Sequence, residues 1–376
     1  MATTCQQNAG WWLANRFSLS FFMKRFSFLS LLLAAAPFAE ALTINLDYSF
    51  DSTNFFGTNT TAKAALEAAA SDLSAVIQPS LGAVSTDIFT GTNGSTSVTA
   101  DWFLTFHNPT TGSTVTLSTF TFAANSITIY AGASHLAGAT LGEGGSGGAG
   151  FNLSGSISSE AAWPGAVANL QAASNTVLTR SSGPVIGSLS GNTTVGSTTA
   201  SYQLDYGALI GAITFDDDTD NNGAGDNVTA LNNYWHFDHT TSVAAGKNDF
   251  YSVALHELVH ALGIGSSDTW QGLASGTTWT GANAIALNGG TGANLLSLDG
   301  GHLASSFMST RLTMFGGGVQ EVALDPSITT GTRKYLTEMD AAFLRDLGYA
   351  AIPEPSSAFF LAAGTLILGL RRRSRG

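Results

Sequence analysis

The chain has 376 residues, with 26 acidic and 14 basic side chains and a formal net charge of −12. This excess of negative charge argues against nucleic acid as a partner, because a nucleic-acid site must neutralise phosphates. Only 11% of the residues are charged, so Ser, Thr, Asn and Gly must supply much of the polar surface, which suits a secreted protein rich in strands and turns.

Residues 1–41 are predicted to be an N-terminal extension and signal peptide. Met23–Arg25 is a basic start, residues 26–36 are apolar, and Ala39–Ala41 reads Ala-Glu-Ala, the pattern of a cleavage site. We therefore expect that translation begins at Met23 and that cleavage follows Ala41. The one cysteine, Cys5, precedes this start, so the mature chain is expected to have no disulfide and no thiol nucleophile.

Residues 351–376 are predicted to form a sorting tail. Pro353–Pro355 reads Pro-Glu-Pro, Ser357–Leu370 is apolar and short for a transmembrane segment, and Arg371–Arg375 is basic. This order resembles the PEP-CTERM signal of Gram-negative bacteria. The resemblance implies export across the inner membrane, recognition by exosortase-type sorting machinery, only transient contact with the membrane, and a final location at the cell surface or outside the cell.

The residues between these signals, 42–350, are predicted to form the folded domain. Leu42–Tyr48 alternates apolar and polar residues and predicts a strand, and Thr61–Ile77 has the Ala-rich spacing of a helix. The middle of the chain, about 84–215, is rich in β-branched residues broken by Gly, Asn and Pro, and predicts a β-rich Gly/Ser/Thr insertion. Its strand candidates are Val98–His107, Thr114–Phe122, Ile127–Tyr130 and Ala212–Phe215.

The glycine-rich stretch Leu141–Gly150 is expected to be a flexible loop, because so many glycines weaken any regular element. A phosphate-binding loop is excluded here, since no Gly-Lys-Ser/Thr sequence follows.

An acidic stretch after the β-rich region has the oxygen spacing of a calcium loop. Its candidate Ca²⁺ ligands are Asp218, Asp220, Asn222 and Asp226. The twelfth position, however, is Thr229 instead of the usual bidentate Glu, so a solvated acidic turn is the alternative.

The most informative motif is His256–His260, which reads His-Glu-Leu-Val-His. On a helix, His256 and His260 project from one face a turn apart, with Glu257 on its flank. Two neutral imidazoles are ligands for Zn²⁺, and the carboxylate is placed to act as a general base toward a water molecule. The alternative is a buried helix whose histidines are ordinary core residues. The flanking sequence favours a buried helix in either case, with Asn248 or Asp249 as its N-cap and Gly263 at its end.

A catalytic zinc ion normally has three protein ligands. The short metzincin spacing places the third at position 266, which is Ser266. Asp268 comes two residues later, and His302 is the only histidine after His260. Glu321 and Glu338 would be needed for a third carboxylate ligand, but neither lies in a matching motif.

Several segments resemble the bacterial metzincin-like proteases related to leishmanolysin, in which an insertion separates the glycine after the zinc helix from the third histidine. The resemblance covers roughly 205–350, the zinc-site half of the domain. It implies an α+β zincin catalytic domain, with a twisted mixed sheet and long helices, and it makes His302 the third zinc ligand. The matching segments are Asp249–Leu255, Gly263–Gly265, Thr280–Ala284, Gly301–His302, Leu336–Asp340 and Asp346–Tyr349.

Metzincins also have a methionine turn beneath the metal. The candidates are Met314, Met308, and a replacement by Leu324 in Ala323–Pro326; both methionines are alternatively core residues. His236 and His239 lie in an aromatic segment without a third ligand and are expected to be structural.

The sequence thus predicts a secreted zinc metalloendopeptidase acting on protein or peptide substrates, with Glu257 as the catalytic base. The alternative is a surface or matrix adhesive protein carrying a degenerate metalloprotease domain. An intact Glu257 argues against that alternative, because a binding module needs no base.

Overall fold

The computed structural model describes residues 42–351, apart from 79, 86–87 and 182. The predicted signal peptide and the tail from residue 352 onward lie outside these residues. Within the described part of the chain, no helix combines the length and the apolar character that crossing a membrane requires.

Eight α-helices occur in the described residues. They are α1 (Phe55–Thr58), α2 (Thr60–Val76), α3 (Trp163–Leu178), α4 (Val228–Tyr234), α5 (Phe250–Ala261), α6 (Asp268–Leu273), α7 (Ala282–Leu287) and α8 (Glu338–Asp346).

In the described residues the strands form one four-stranded mixed sheet, one four-stranded antiparallel sheet and several two-stranded pairs. They are β1 (Thr43–Asp47), β2 (Val84–Ser85), β3 (Ile88–Asn93), β4 (Thr96–His107), β5 (Thr114–Leu117), β6 (Thr121–Phe122), β7 (Ser126–Ser134), β8 (Gly142–Ser146), β9 (Gly148–Ser156), β10 (Val185–Val195), β11 (Thr198–Gly207), β12 (Ile210–Asp216), β13 (Trp235–His236), β14 (Asn248–Asp249), β15 (Ala274–Ser275), β16 (Thr278–Trp279), β17 (Met308–Thr310) and β18 (Val319–Glu321). The chain is therefore α+β, as predicted.

The mixed sheet has the order β1-β7-β12-β8. Its first three strands run parallel, and β8 is antiparallel to β12 at one edge. Helices α2 and α5 pack against each other beside this sheet, and α5 also packs against β8 and β12. The strand predicted at Leu42–Tyr48 and the helix predicted at Thr61–Ile77 are confirmed as β1 and α2.

The second sheet has β4 at its centre, paired with β3, β5 and β9. Helix α3 packs across it and against the β10–β11 hairpin, which gives a second hydrophobic core. The strand predictions at Val98–His107, Ile127–Tyr130 and Ala212–Phe215 are confirmed. The prediction at Thr114–Phe122 is correct only in part, because two short strands, β5 and β6, occupy it.

One expectation for the middle of the chain is wrong. The glycine-rich stretch Leu141–Gly150 is not a loop but contains β8 and the start of β9. The region also contains a helix, α3, whose buried residues Ala166, Leu170 and Ser174 recur at helical spacing.

Helix α5 begins and ends as its sequence predicts. The Asp249 carboxylate accepts a hydrogen bond from the backbone N–H of Ser252 at 3.1 Å and so caps the N-terminus. That carboxylate also pairs with the Arg333 guanidinium at 2.7 Å. Helix α5 ends at Ala261, and Gly263 follows with φ of +107°, a conformation that favours glycine.

Candidate metal centre

Three imidazoles meet at one point of the structure. His256 and His260 extend from α5, and His302 comes from the segment that follows the Gly263–Gly301 insertion. One ring nitrogen of each lies within 4.8 Å of the others. Within the described residues, these are the only three His, Cys, Asp or Glu side chains that gather closely enough to hold a metal ion. The structure thus brings together the three histidines expected to bind zinc.

The Nδ1 atom of each imidazole has a hydrogen-bond acceptor. His256 Nδ1–H donates to the carbonyl of Ala323 at 2.7 Å, and His260 Nδ1–H donates to the carbonyl of Ile264 at 2.7 Å. His302 Nδ1–H donates to Asp299 Oδ2 at 2.9 Å. Because a carbonyl or carboxylate oxygen cannot donate, these partners place a proton on each Nδ1, and in the neutral imidazole the lone pair is then on Nε2.

Two of these lone pairs face each other. The Nε2 atoms of His256 and His260 are 3.0 Å apart, and neither carries a proton to share in this tautomer. Two nitrogens bound to one tetrahedral zinc at about 2.05 Å would be separated by about 3.3 Å. The donor set therefore fits Zn²⁺ in type and number, with three imidazole nitrogens and a position left for water, and the separation of the His256 and His260 nitrogens is close to this value.

The surroundings keep two of the imidazoles neutral. Burial, together with the neighbouring imidazoles, holds the pKa of His256 well below its ordinary value. Burial and the adjacent His302 lower the pKa of His260 to about 4. Neutral imidazoles are the form that binds a metal.

Glu257 lies in the wall of the same cavity as the imidazoles, which measures about 950 Å³. Glu257 as a whole is only 5% exposed. Burial, reinforced by the charge of Glu143, raises its pKa to about 8. Among the described residues its carboxyl group makes no hydrogen bond or ion pair, so it is available to a molecule bound in the cavity.

Glycines place strand β8 directly beside Glu257. A Cβ on Gly142 would lie 2.8 Å from Cγ of Glu257, and a Cβ on Gly144 would lie 2.4 Å from the carbonyl oxygen of Glu257. Any larger residue would push the strand away from α5. The glycine-rich sequence, which predicted a loop, therefore allows the edge strand β8 to lie close to Glu257.

The turn at Ala323–Pro326 supports two of the histidines. Ala323 accepts the hydrogen bond from His256, and the carbonyl of Leu324 accepts the backbone N–H of Leu303, next to His302, at 3.1 Å. The carboxylate of Asp340, buried in α8, accepts the backbone N–H groups of Ala323 at 3.1 Å and Leu324 at 3.2 Å. Sequence reasoning missed Asp340; the signal available was Thr337, whose spacing to Asp340 is that of a capping box.

This turn contains Leu324, one of the three residues considered for the methionine turn. Leu324 is fully buried, whereas Met308 and Met314 are each 53% exposed. Neither methionine can therefore form an apolar floor under the ligands, and the structure favours Leu324 of the three candidates.

His302 is positioned from both sides. The Asp299 carboxylate accepts the backbone N–H groups of Gly301 and His302 as well as the imidazole Nδ1–H. Gly265 has φ of +78°, and a Cβ there would lie 2.6 Å from the carbonyl oxygen of Gly301. Only a glycine lets the two segments come this close. The sequence pattern singled out neither Asp299 nor this role of Gly265.

The other residues considered for a third ligand are not part of the histidine group, although Ser266 lines the same cavity. Ser266 Oγ donates to the carbonyl of His260 at 3.1 Å and accepts the backbone N–H of Ser146, so it ties the end of β8 to α5. Asp268 accepts the backbone N–H of Ser188 on β10. Glu321 pairs with Lys334 at 2.9 Å. Glu338 begins α8 and is outside the histidine group.

The acidic residues considered for calcium bond mainly to their own loop. Asp218 accepts the backbone N–H groups of Asn222 and Gly223, Asp226 accepts that of Thr219, and Asp220 also accepts Asn222. Within the described residues they do not form a three-ligand group. Calcium binding by Asp218, Asp220, Asn222 and Asp226 stays a prediction.

His236 and His239 do not line the cavity. His236 Nε2 lies 3.3 Å from Thr241 Oγ1, and the carbonyl of His239 accepts a hydrogen bond from Arg333. These contacts agree with the structural role expected of them.

No protein-family model matches the chain, and no curated protein and no solved structure is significantly similar to it.

Proposed function

We propose that this chain is an exported, zinc-dependent endopeptidase with a metzincin-like catalytic domain. The observation that carries the proposal is the convergence of three imidazoles whose Nδ1 protons are all taken by acceptors, beside a buried carboxyl group with no other partner. Ordinary core histidines do not leave three unprotonated nitrogens facing one point.

The residues have separate tasks. His256, His260 and His302 hold the metal. Zinc bound there supplies Lewis acidity, which lowers the pKa of a water molecule and polarises a substrate carbonyl. Glu257 takes a proton from the attacking water and gives it to the amine that leaves when the peptide bond breaks. Burial of Glu257 suits this exchange, because it raises the pKa of the carboxyl group toward neutral pH and so strengthens it as a proton acceptor.

A peptide substrate has a binding edge close to these groups. Strand β8 is the last strand of its sheet, and Gly142–Gly144 borders the cavity that contains Glu257. The unpaired edge of a strand binds an extended peptide through backbone hydrogen bonds. This arrangement favours an endopeptidase, because the substrate is held along its main chain and needs no free terminus.

The test combines metal content with turnover. Purified protein should contain about one zinc ion per chain by plasma mass spectrometry and should cleave casein, with loss of cleavage after chelation and recovery with added zinc. Glu257→Ala should keep the zinc and lose turnover by about 10²–10⁴-fold. His260→Ala and His302→Ala should lose the metal, whereas His107→Ala, at an exposed histidine outside the site, should lose neither.

The adhesive alternative makes a different prediction. A degenerate domain would bind zinc without cleaving casein, and Glu257→Ala would then change nothing measurable. Zinc in the protein together with no cleavage of any protein substrate tested would favour that alternative.

A further inference from the structure

Strand β8 carries a single charged side chain, Glu143, among glycines and a serine. Glu143 is exposed and lines the cavity. Within the described residues its carboxylate makes no hydrogen bond and no ion pair. Elsewhere in the cavity wall, Lys334 and Asp325 are already paired at 3.6 Å. Glu143 is therefore an unneutralised charge on the edge where a substrate strand would lie.

The direction of this side chain follows from the strand geometry. Successive residues of a strand point to opposite faces of the sheet. Gly142 and Gly144 face α5, since a Cβ on either would meet Glu257. Glu143 therefore extends from the other face, on which its register partner in β12 is Thr214.

A peptide paired along the free edge of β8 must place one residue directly across from Glu143. Cβ atoms of such opposed residues are about 4.5–5.5 Å apart and their side chains share a face. An opposed Lys or Arg would form an ion pair with Glu143, and an opposed Asp or Glu would be repelled.

We propose that Glu143 makes this site select substrates with a basic residue at the position opposite it, an inference that rests on the endopeptidase function proposed above. The substrate class is thus a basic, extended peptide segment. The protein's net charge of −12 adds a long-range attraction for the same substrates.

The size of the effect is limited by solvent. Opposite-charge pairs across strands strengthen binding by about 1.4- to 5-fold, and like charges weaken it by a similar factor. Replacing Lys by Glu at the opposed position should therefore lower kcat/KM by roughly 2- to 25-fold, most strongly at low salt.

The experiment uses quenched fluorescent peptides derived from one casein sequence that the purified protein cleaves. Lys, Gln or Glu is placed in turn at each of several positions on both sides of the cleaved bond, and kcat/KM is measured with zinc present. The readout is the Lys-to-Glu ratio of kcat/KM at each position within one protein variant. Any general change in the rate of a variant cancels in that ratio.

The expected result is one position at which wild type prefers Lys over Glu. At that position Glu143→Gln should bring the ratio close to one, and Glu143→Lys should reverse it. Glu67→Lys makes the same charge change on helix α2, at a side chain that does not line the catalytic cavity, and should keep the wild-type ratio.

Two outcomes overturn the inference in distinguishable ways. If wild type cleaves the peptides but Glu143→Lys leaves the ratio unchanged at every position, Glu143 does not select substrates, and the proposed endopeptidase function stands. If zinc-loaded wild type cleaves neither casein nor any peptide, the proposed function fails and the selection by Glu143 fails with it.

Discussion

His256 and Asp340 are linked through one residue of the turn between them. The imidazole Nδ1–H of His256 donates to the carbonyl of Ala323 at 2.7 Å, and the backbone N–H of Ala323 donates to Asp340 Oδ2 at 3.1 Å. A carboxylate in α8 thus fixes the direction of an imidazole in the candidate metal centre. Its two oxygens also accept hydrogen bonds from Leu324 and Thr337, so this carboxylate joins the turn to the N-terminus of α8.

Replacing Asp340 should therefore weaken metal binding without touching a ligand. In Asp340→Asn, an amide N–H₂ would face backbone N–H donors, which disturbs the turn that orients His256. Loss of such an outer partner typically costs about 10- to 100-fold in metal affinity. Zinc affinity is measured by competition with a chromogenic chelator, and thermal unfolding is followed in parallel.

A control variant separates a loss of zinc affinity from a general loss of stability. Arg180 is buried far from the histidines along the chain and donates to carbonyl groups of Gly82, Ala123, Ser126 and Ala208. Arg180→Met should lower the unfolding temperature and keep the zinc affinity. Equal zinc affinity in Asp340→Asn and wild type would show that Asp340 does not orient His256 for metal binding.

The glycines of β8 offer a matched pair of substitutions. In Gly144→Ala the new Cβ would lie 2.4 Å from the backbone carbonyl oxygen of Glu257, which a buried helix cannot move cheaply. The strand must shift from α5, and kcat/KM should fall by about 10- to 100-fold because the substrate edge is displaced. In Gly145→Ala the new Cβ meets nothing within 4 Å, so activity should be unchanged. The prediction is checked by measuring kcat/KM of both variants at equal zinc content.

Helix α5 was the part of the candidate site most predictable from sequence. Two histidines and a glutamate at helical spacing, an N-cap at Asp249 and a stop at Gly263 all depend on neighbouring residues, and the structure has each of them. His302 was harder to assign. It lies beyond an insertion, and its place depends on the close approach of Gly265 and Gly301, which no local pattern encodes.

Strand β8 and helix α3 show why some elements could not be predicted from the sequence. Glycine lowers the propensity for a strand, so β8 resembles a loop until its partner Glu257 is known. Helix α3 lies within a region of β-branched residues, and that composition hid the helical spacing of its buried residues. In both cases tertiary packing outweighed local preference.

Leu324 should be essential as a packed residue, and the methionines should not. Leu324→Ala would leave a cavity in the core, since Leu324 is fully buried, and cost about 2–5 kcal/mol of unfolding free energy. Leu324→Met conserves volume and should keep both zinc and activity. Met308→Leu and Met314→Leu replace half-exposed side chains and should alter neither. Chemical denaturation with zinc analysis tests all four variants, and a loss of zinc in either methionine variant would contradict the assignment of the turn.

The histidines should make the metal-free protein sensitive to acid. Burial lowers the pKa of His260 to about 4, below the ordinary value of about 6.5. As pH falls below about 6.5, the unfolded chain binds a proton that the folded protein does not, so stability is lost between about pH 6.5 and pH 4. His260 alone accounts for roughly 3 kcal/mol over that range, and His256 acts in the same direction.

Titration of Glu257 has the opposite effect on stability as pH falls, so the effect of the histidines is measured in a variant without this carboxyl group. Its pKa is raised to about 8, so between about pH 4.5 and pH 8 the folded protein binds the extra proton and stability falls as pH rises. The comparison is therefore made by urea unfolding of chelator-treated Glu257→Gln at pH 7 and pH 4.5. Adding His260→Gln should reduce the acid-induced loss, because the buried imidazole is gone. Adding His107→Gln, at an exposed histidine, should leave it unchanged, and an equal loss in all three proteins would refute the role assigned to burial of His260.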